Sequence, residues 1–231
     1  MSFSEKYFFI CLKASIANIP QNLIMTGVVL VICTILGTGI AMIRAYKVPV
    51  LDIIFDFLMA ICKVLPANLV LLICFLLFTN NFRRIADALG LKISIRDVNI
   101  IYVAIVALVI CSISAVSELI RTGIISVPKG QYEAGYSVGM TKAQTFFNII
   151  APQAIKNIIP PLVNTVLSLL KSTALVSVIG VTDIMTSAVA EASITYSFLE
   201  AYLAAALVFW VLGLLFEIAG GLVERRYRKM A

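Results

Sequence analysis

The sequence predicts an all-α membrane protein with about five transmembrane helices. Hydrophobic residues fill 61% of the 231 positions and charged residues only 13%, with a mean hydropathy of +1.06. A soluble domain carries roughly a quarter charged residues, so this chain lacks the polar surface a water-soluble globule needs. The apolar residues also fall in long runs, the arrangement that lipid demands. The formal charge of +6 comes from 18 Lys and Arg against 12 Asp and Glu. Most basic residues sit between or after the apolar runs, where charges set topology, so nucleic acid is not an expected partner.

About twenty apolar residues cross the hydrocarbon core as a helix. Residues 1–18 come first and are expected to form a short interfacial segment. Lys13 interrupts their apolar run and no small-residue cleavage pattern follows, so no cleavable signal is predicted. The first span, 22–43, is uncharged and closed by Arg44 and Lys47. The second, 50–79, is too long for an upright helix and contains Asp52, Asp56, Lys63 and Pro66, which predicts a tilt or kink. The third covers 98–120. The fourth, 160–179, is placed with Pro160 and Pro161 in its first turn, where proline is tolerated. The fifth covers 198–222. Together they make residues 1–231 a single transmembrane domain.

An odd number of spans puts the termini on opposite sides. The basic tail from Glu224 to Lys229 is expected in the cytoplasm, which leaves the N-terminus outside. Inside segments then hold Arg44, Lys47, Arg121, Lys129, Lys142, Lys156, Arg225, Arg226, Arg228 and Lys229, ten in all. Outside segments hold Lys6, Lys13, Arg83, Arg84, Lys92 and Arg96, six in all. The last four form a basic external loop at 83–96 that runs against the trend.

Five cysteines (Cys11, Cys33, Cys62, Cys74 and Cys111) occur without a CxxC pair, and histidine is absent. Neither a metal site nor a disulfide framework is expected, and the commonest acid–base group is missing. No catalytic motif appears. Leu170-Lys171-Ser172 lacks the glycine that precedes the lysine of a phosphate loop. The chain is therefore expected to be no enzyme and to hold no cofactor of its own.

The segment between the third and fourth spans is long and helix-prone, and Pro128 and Gly130 punctuate its start. Glu133-Ala134-Gly135 is followed after three residues by Gly139, after nine more by Ile149, and then by Pro152. This spacing resembles the EAA loop of ABC importer permeases, whose pattern is EAA, three residues, Gly, nine residues, Ile, any residue, Leu, Pro. Gly135 stands where the second alanine is usual, and Ala151 where leucine is usual. Residues 117–131 and the runs Pro160-Pro161-Leu162, Lys171–Leu175 and Val178–Val181 resemble the polar amino acid subfamily, which includes histidine, glutamine, arginine and cystine importers. Lys63-Val64-Leu65-Pro66 departs from that subfamily's Arg-Gly-Thr-Pro.

The resemblance implies a type I ABC importer permease in the bacterial inner membrane, with a cytoplasmic coupling helix at about 128–157. It further implies cytoplasmic ABC ATPase subunits that bind ATP and Mg, a second permease subunit, an extracellular solute-binding protein and a polar amino acid substrate. The residues implied in ATPase coupling are Glu133, Ala134, Gly135, Gly139, Ile149 and Pro152, a helix-in-groove contact in which small residues allow close approach. A permease for another small polar solute, and a non-ABC membrane scaffold or channel, remain as alternatives.

Charges inside a span cost about 3 kcal/mol or more and normally face a cavity or partner. Lys171 falls roughly 15 Å along the fourth span from Pro161. An ion pair with Glu118 of the third span is expected. Lys63 shares a helical face with Asp56 and is a candidate for the carboxylate of an amino acid. Ser112, Ser114, Asn164 and Ser168 are further candidates for the substrate pathway.

Overall fold

The computed structural model describes residues 3–90 and 92–228, with the side chains of residues 227 and 228 left aside. The expected residue Lys229 of the basic tail lies outside the described residues. Ten helices follow one another among the described residues: α1 Glu5–Ala17, α2 Ile19–Ala45, α3 Leu51–Val64, α4 Ala67–Ala88, α5 Ile101–Ile125, α6 Lys129–Ser137, α7 Lys142–Thr145, α8 Ala151–Ser172, α9 Ile184–Thr195 and α10 Phe198–Arg228. No strand occurs among them. Five helical stretches are long and apolar enough to cross a membrane: Glu5–Ala45, Ala67–Ala88, Ile101–Ile125, Lys142–Ile179 and Phe198–Arg226.

Three local outcomes differ from the sequence reading. Residues 5–17 are a regular helix separated from α2 by Asn18 alone. The expected span 50–79 is divided: α3 ends at Val64, and Pro66, in extended backbone at ψ 129°, precedes α4. Proline disfavours helical backbone at the residue before it, and this break is more complete than a kink. The helix expected to begin at Pro160 begins at Ala151, and both prolines lie in its interior. Each interior proline costs about 3 kcal/mol. Apolar neighbours on both sides of the pair offset that cost, as described below.

The contacts gather the chain into two compact units. One consists of Met1–Leu30, Val64–Cys111 and Ser168–Gly213. Its core includes Met25, Val29, Leu71, Leu108, Leu170, Val176 and Ile184. Here α1 lies against α9, burying Cys11 and Ser15 one turn apart on a single face. Ala188 and Ala192, both fully buried, let the helices approach. The Ser15 hydroxyl donates to the Ile184 carbonyl at 3.1 Å. Asn22 is fully buried, and its amide donates to Thr173 Oγ1 at 2.8 Å while its carbonyl accepts from the Ile184 N–H at 3.1 Å. Asp183 caps α9, accepting from the Thr186 N–H at 2.7 Å. Glu200, 6% exposed, accepts from the Ser4 N–H at 2.8 Å.

The other unit consists of Val31–Lys63, Ser112–Leu167 and Leu214–Ala231. Its helices meet at glycines. A Cβ on Gly37 of α2 would stand 3.3 Å from the backbone nitrogen of Ser117 in α5. A Cβ on Gly123 of α5 would overlap Ile158 of α8, and one on Gly220 of α10 would overlap Val163. Ile158 and Val163 flank Pro160 and Pro161, so this packing supports α8 where it runs on unbroken through the prolines. Small residues at such crossings bring backbones close enough for extensive dispersion contact, the main attraction between helices in lipid. The Ser114 hydroxyl adds a bond to the Met59 carbonyl at 3.0 Å, tying α5 to α3.

Candidate functional site

The segment after α5 lies wholly in the second unit and is built as two short helical pieces folded on each other. Pro128, at φ −57° and ψ 140°, precedes α6, and its missing N–H costs a helix start nothing. α6 ends in a Schellman turn: the Met140 N–H donates to the Gly135 carbonyl and the Gly139 N–H to the Tyr136 carbonyl, both at 3.0 Å. Gly139 takes φ +81°, the left-handed conformation such a turn requires. A capping box then opens α7. Thr141 Oγ1 accepts from the Gln144 N–H at 3.3 Å, and Gln144 Oε1 accepts from the Thr141 N–H at 2.9 Å.

Between α7 and α8 the helix widens into a π turn over Phe146–Ile150. α6 packs back on this turn. The contact is tight because position 135 has no side chain. A Cβ there would lie 2.6 Å from Thr145 Cγ2, 2.7 Å from Thr145 Oγ1 and 3.2 Å from Ile149 Cδ1. Gln153 of α8 donates to Gln131 of α6 at 3.1 Å, and Asn157, one turn on, donates to Ser126 at 2.8 Å. The start of the folded segment is thereby fastened to α8 at two points.

Of the residues singled out in this segment, Gly135 and Ile149 are brought together, with Gly135 buried. Glu133, Ala134, Gly139 and Pro152 are exposed. Val138 and Phe147, 72% and 70% exposed, add bare apolar surface beside Tyr136. The segment therefore presents an acid, small residues and exposed apolar side chains on a folded support, a surface suited to a protein groove.

Two anchors beside the segment were not singled out from the sequence. Tyr46, just past α2, sets its ring 6.4 Å from that of Phe146. Burial, then a hydrogen bond to Tyr132, raises the Tyr46 phenol above its ordinary range and keeps it neutral. Arg44 is the centre of a charge cluster. Its Nε meets Asp56 Oδ1 at 2.5 Å and its Nη1 meets Glu118 Oε2 at 3.0 Å, with the Arg44 side chain only 11% exposed. Arg121 holds the same carboxylate in a two-point grip, Nη2 to Oε1 at 2.6 Å and Nε to Oε2 at 3.1 Å. Two sequence signals could have revealed the cluster: the i,i+3 spacing of Glu118 and Arg121, and the placement of Arg44 and Asp56 across the short α2–α3 corner.

This arrangement corrects the expected Glu118–Lys171 ion pair. Both oxygens of Glu118 are taken by Arg121, one turn along the same helix, and by Arg44. Planar guanidinium groups match a carboxylate in two-point geometry better than a lysine does. Lys171 is exposed and belongs to the other unit, as does Ser168, whose carbonyl accepts from the Ser172 hydroxyl. Among the candidates for a substrate pathway, Ser114 is committed to the Met59 carbonyl. Lys63 and Asn164 are exposed and Ser112 is half-buried. No hydrogen bond among the described residues joins these four to one another.

Residues 33–229 match the family model described as "Binding-protein-dependent transport system inner membrane component". The chain is 32% identical over 214 residues to the probable amino-acid permease protein YxeN of Bacillus subtilis (strain 168), covering 93% of this chain and 91% of that one. It is 39% identical over 127 residues to the arginine transport system permease protein ArtQ of the same organism, but spans only 58% of that protein's length. A solved structure described as "Crystal structure of an amino acid ABC transporter with histidines" superposes with a TM-score of 0.81 at 30% identity, over 98% of this chain and 100% of that one.

Proposed function

We propose a function from the premise that this chain belongs to the family of inner membrane components of binding-protein-dependent transport systems: as a multi-pass permease subunit it forms the translocation pathway of an ATP-driven importer for polar amino acids. The folded segment at 128–157 is read as the coupling element. The observation that carries this reading is its shape: exposed Glu133, Ala134, Val138 and Phe147 on a helix pair fixed from behind by the Gly135–Thr145 contact.

ATP hydrolysis belongs to separate cytoplasmic subunits, which hold ATP and Mg, and this chain supplies no catalytic group. A second permease, identical or closely related, completes the pathway, and an external solute-binding protein delivers the substrate. The C-terminus faces the cytoplasm and the N-terminus the outside. On this reading, movement of the ATPase subunits shifts α6 and the π turn. Gln131–Gln153 and Ser126–Asn157 carry that shift into α8 and α5. Glu133, Ala134, Gly135, Gly139, Ile149 and Pro152 form or support the docking face, and Lys63, Ser112, Ser114, Asn164 and Ser168 are assigned to the pathway. The relatives named for amino acids favour that substrate class. Lys63-Val64-Leu65-Pro66 favours the second reading, another small polar solute.

The test is ATPase stimulation in a reconstituted complex with the binding protein present, across all amino acids. Stimulation by one or a few polar amino acids is expected. An intact complex that no amino acid stimulates overturns the amino acid assignment and leaves the family standing. Glu133→Lys is expected to abolish stimulation, and unchanged stimulation in that variant removes the docking role.

A further inference from the structure

The four basic residues of the 83–96 segment have no work in the reading above. Arg83, Arg84, Lys92 and Arg96 are all exposed, and none forms an ion pair among the described residues. The segment has one acid, Asp87, and a second, Asp97, follows it directly. Asp97 is already engaged, accepting from the Ser94 N–H at 2.7 Å in a capping box. Asp87 lines the same recess as Arg83 and Lys92.

That recess is a cavity of about 450 Å³ between the end of α4 and the 3-10 turn Ile95–Asp97. Phe82, 9% exposed, and Ile93 give it an apolar floor, while Arg83, Lys92 and the Ser94 hydroxyl supply donors. The recess reaches Thr79, and an exposed apolar strip leads up to it along the helix. Leu76 and Leu77 lie seven residues before Arg83 and Arg84, two turns away on the same faces. Leu69, Ile73, Leu76 and Leu77 are all about half-exposed. An unpartnered apolar strip thus ends in two arginines and a basic hollow at the end of a candidate membrane helix. That is the depth at which lipid headgroups sit, and basic hollows at span ends attract anionic ones.

We propose that this recess holds the headgroup of an anionic phospholipid, with an acyl chain along Leu69, Ile73, Leu76 and Leu77. Arg83 and Lys92 grip the phosphate and Ser94 donates to it, while Asp87 in the same lining offsets one of the two cations and leaves the recess net positive. Zwitterionic lipid is disfavoured because its own cation duplicates the charge of the site. The proposal needs only that α4 spans the membrane and does not depend on what the chain transports.

The test takes the full chain, purified with the subunits that accompany it, in nanodiscs of phosphatidylcholine alone or mixed with phosphatidylglycerol. Lipids retained after mild extraction are read by native mass spectrometry. Wild type is expected to retain phosphatidylglycerol from the mixed discs and little phosphatidylcholine. Arg83→Gln with Lys92→Gln is expected to lower that retention by about tenfold or more. Arg83→Lys with Lys92→Arg keeps the charge and is expected to hold wild-type retention, which separates a binding defect from a folding one. Equal retention by the Gln double variant, or equal retention of both lipids, overturns the proposal. Stripping of the lipid by millimolar inorganic phosphate makes this a free-anion site and overturns it as well. So does a double variant that loses affinity for an acidic external protein while its lipid retention is unchanged.

Discussion

Arg44 Nη1 lies 3.0 Å from Glu118 Oε2, and through that contact the end of α2 is tied to α5 just ahead of the folded segment. The same guanidinium holds Asp56 of α3, so one side chain fixes three helices. Breaking a fully buried pair costs about 3–5 kcal/mol, but Glu118 is 40% exposed and water recovers part of that. Glu118→Gln is therefore expected to destabilise by about 2 kcal/mol, read from thermal unfolding in detergent. A double-mutant cycle of Arg44→Ala with Glu118→Ala should show coupling, and strict additivity would remove the pair as an anchor.

Asn22 uses both ends of its amide in a fully buried position. Asn22→Leu removes the partner of the Ile184 N–H and of Thr173 together. Thr173 keeps its bond to the Leu170 carbonyl, so the expected loss is about 1–3 kcal/mol, the cost of one stranded buried group. A loss below about 0.5 kcal/mol, the scale of an ordinary surface change, would mean that water replaces the amide.

Tyr46 gives a pH signature outside the membrane. Its folded pKa is raised above the unfolded value near 10, by burial and then by Tyr132. Stability from this group is therefore fully present below about pH 10 and is lost as pH rises beyond it. The stability difference between wild type and Tyr46→Phe should be flat from neutral pH to about pH 9 and shrink above pH 10. A difference that varies around neutrality would assign the effect to another group.

Gly139→Ala tests the turn. Nothing lies within 4 Å of the added methyl, so only the φ of +81° opposes it. About 1–2 kcal/mol of strain is expected, with the substituted segment more readily cut by protease. A neutral substitution would show that the turn relaxes to another conformation.

The helical count was legible because hydropathic runs report the length of apolar helix directly, and each of the five has a counterpart in the structure. Boundaries were less legible. Pro66 marked a disturbance but not whether it kinks or breaks a helix, and Pro160 looked like a start because the packing of Ile158 and Val163 around it is tertiary. The i,i+3 spacing of Glu118 and Arg121 was readable, but Arg44 was hidden for the same reason: depth along a span can be counted from sequence, but which residue of another helix reaches a carboxylate cannot. In the segment at 128–157, spacing singled out Gly135 and Ile149, which do meet. It gave no hint of Tyr46, whose role depends on the α2 terminus arriving beside Phe146.

The two glycines of that segment answer to different constraints, and this bears on how the sequence can drift. Gly139 is held by a dihedral angle, so making room elsewhere does not relieve the strain of a residue with a Cβ there. Gly135 is held only by volume, against a buried Thr145 whose hydroxyl has no partner. Its methyl could be traded: Gly135→Ala should be tolerated once Thr145→Ala has made room. Homologues carrying alanine at the equivalent of 135 should then tend to carry a smaller residue opposite, a covariation that an alignment can count.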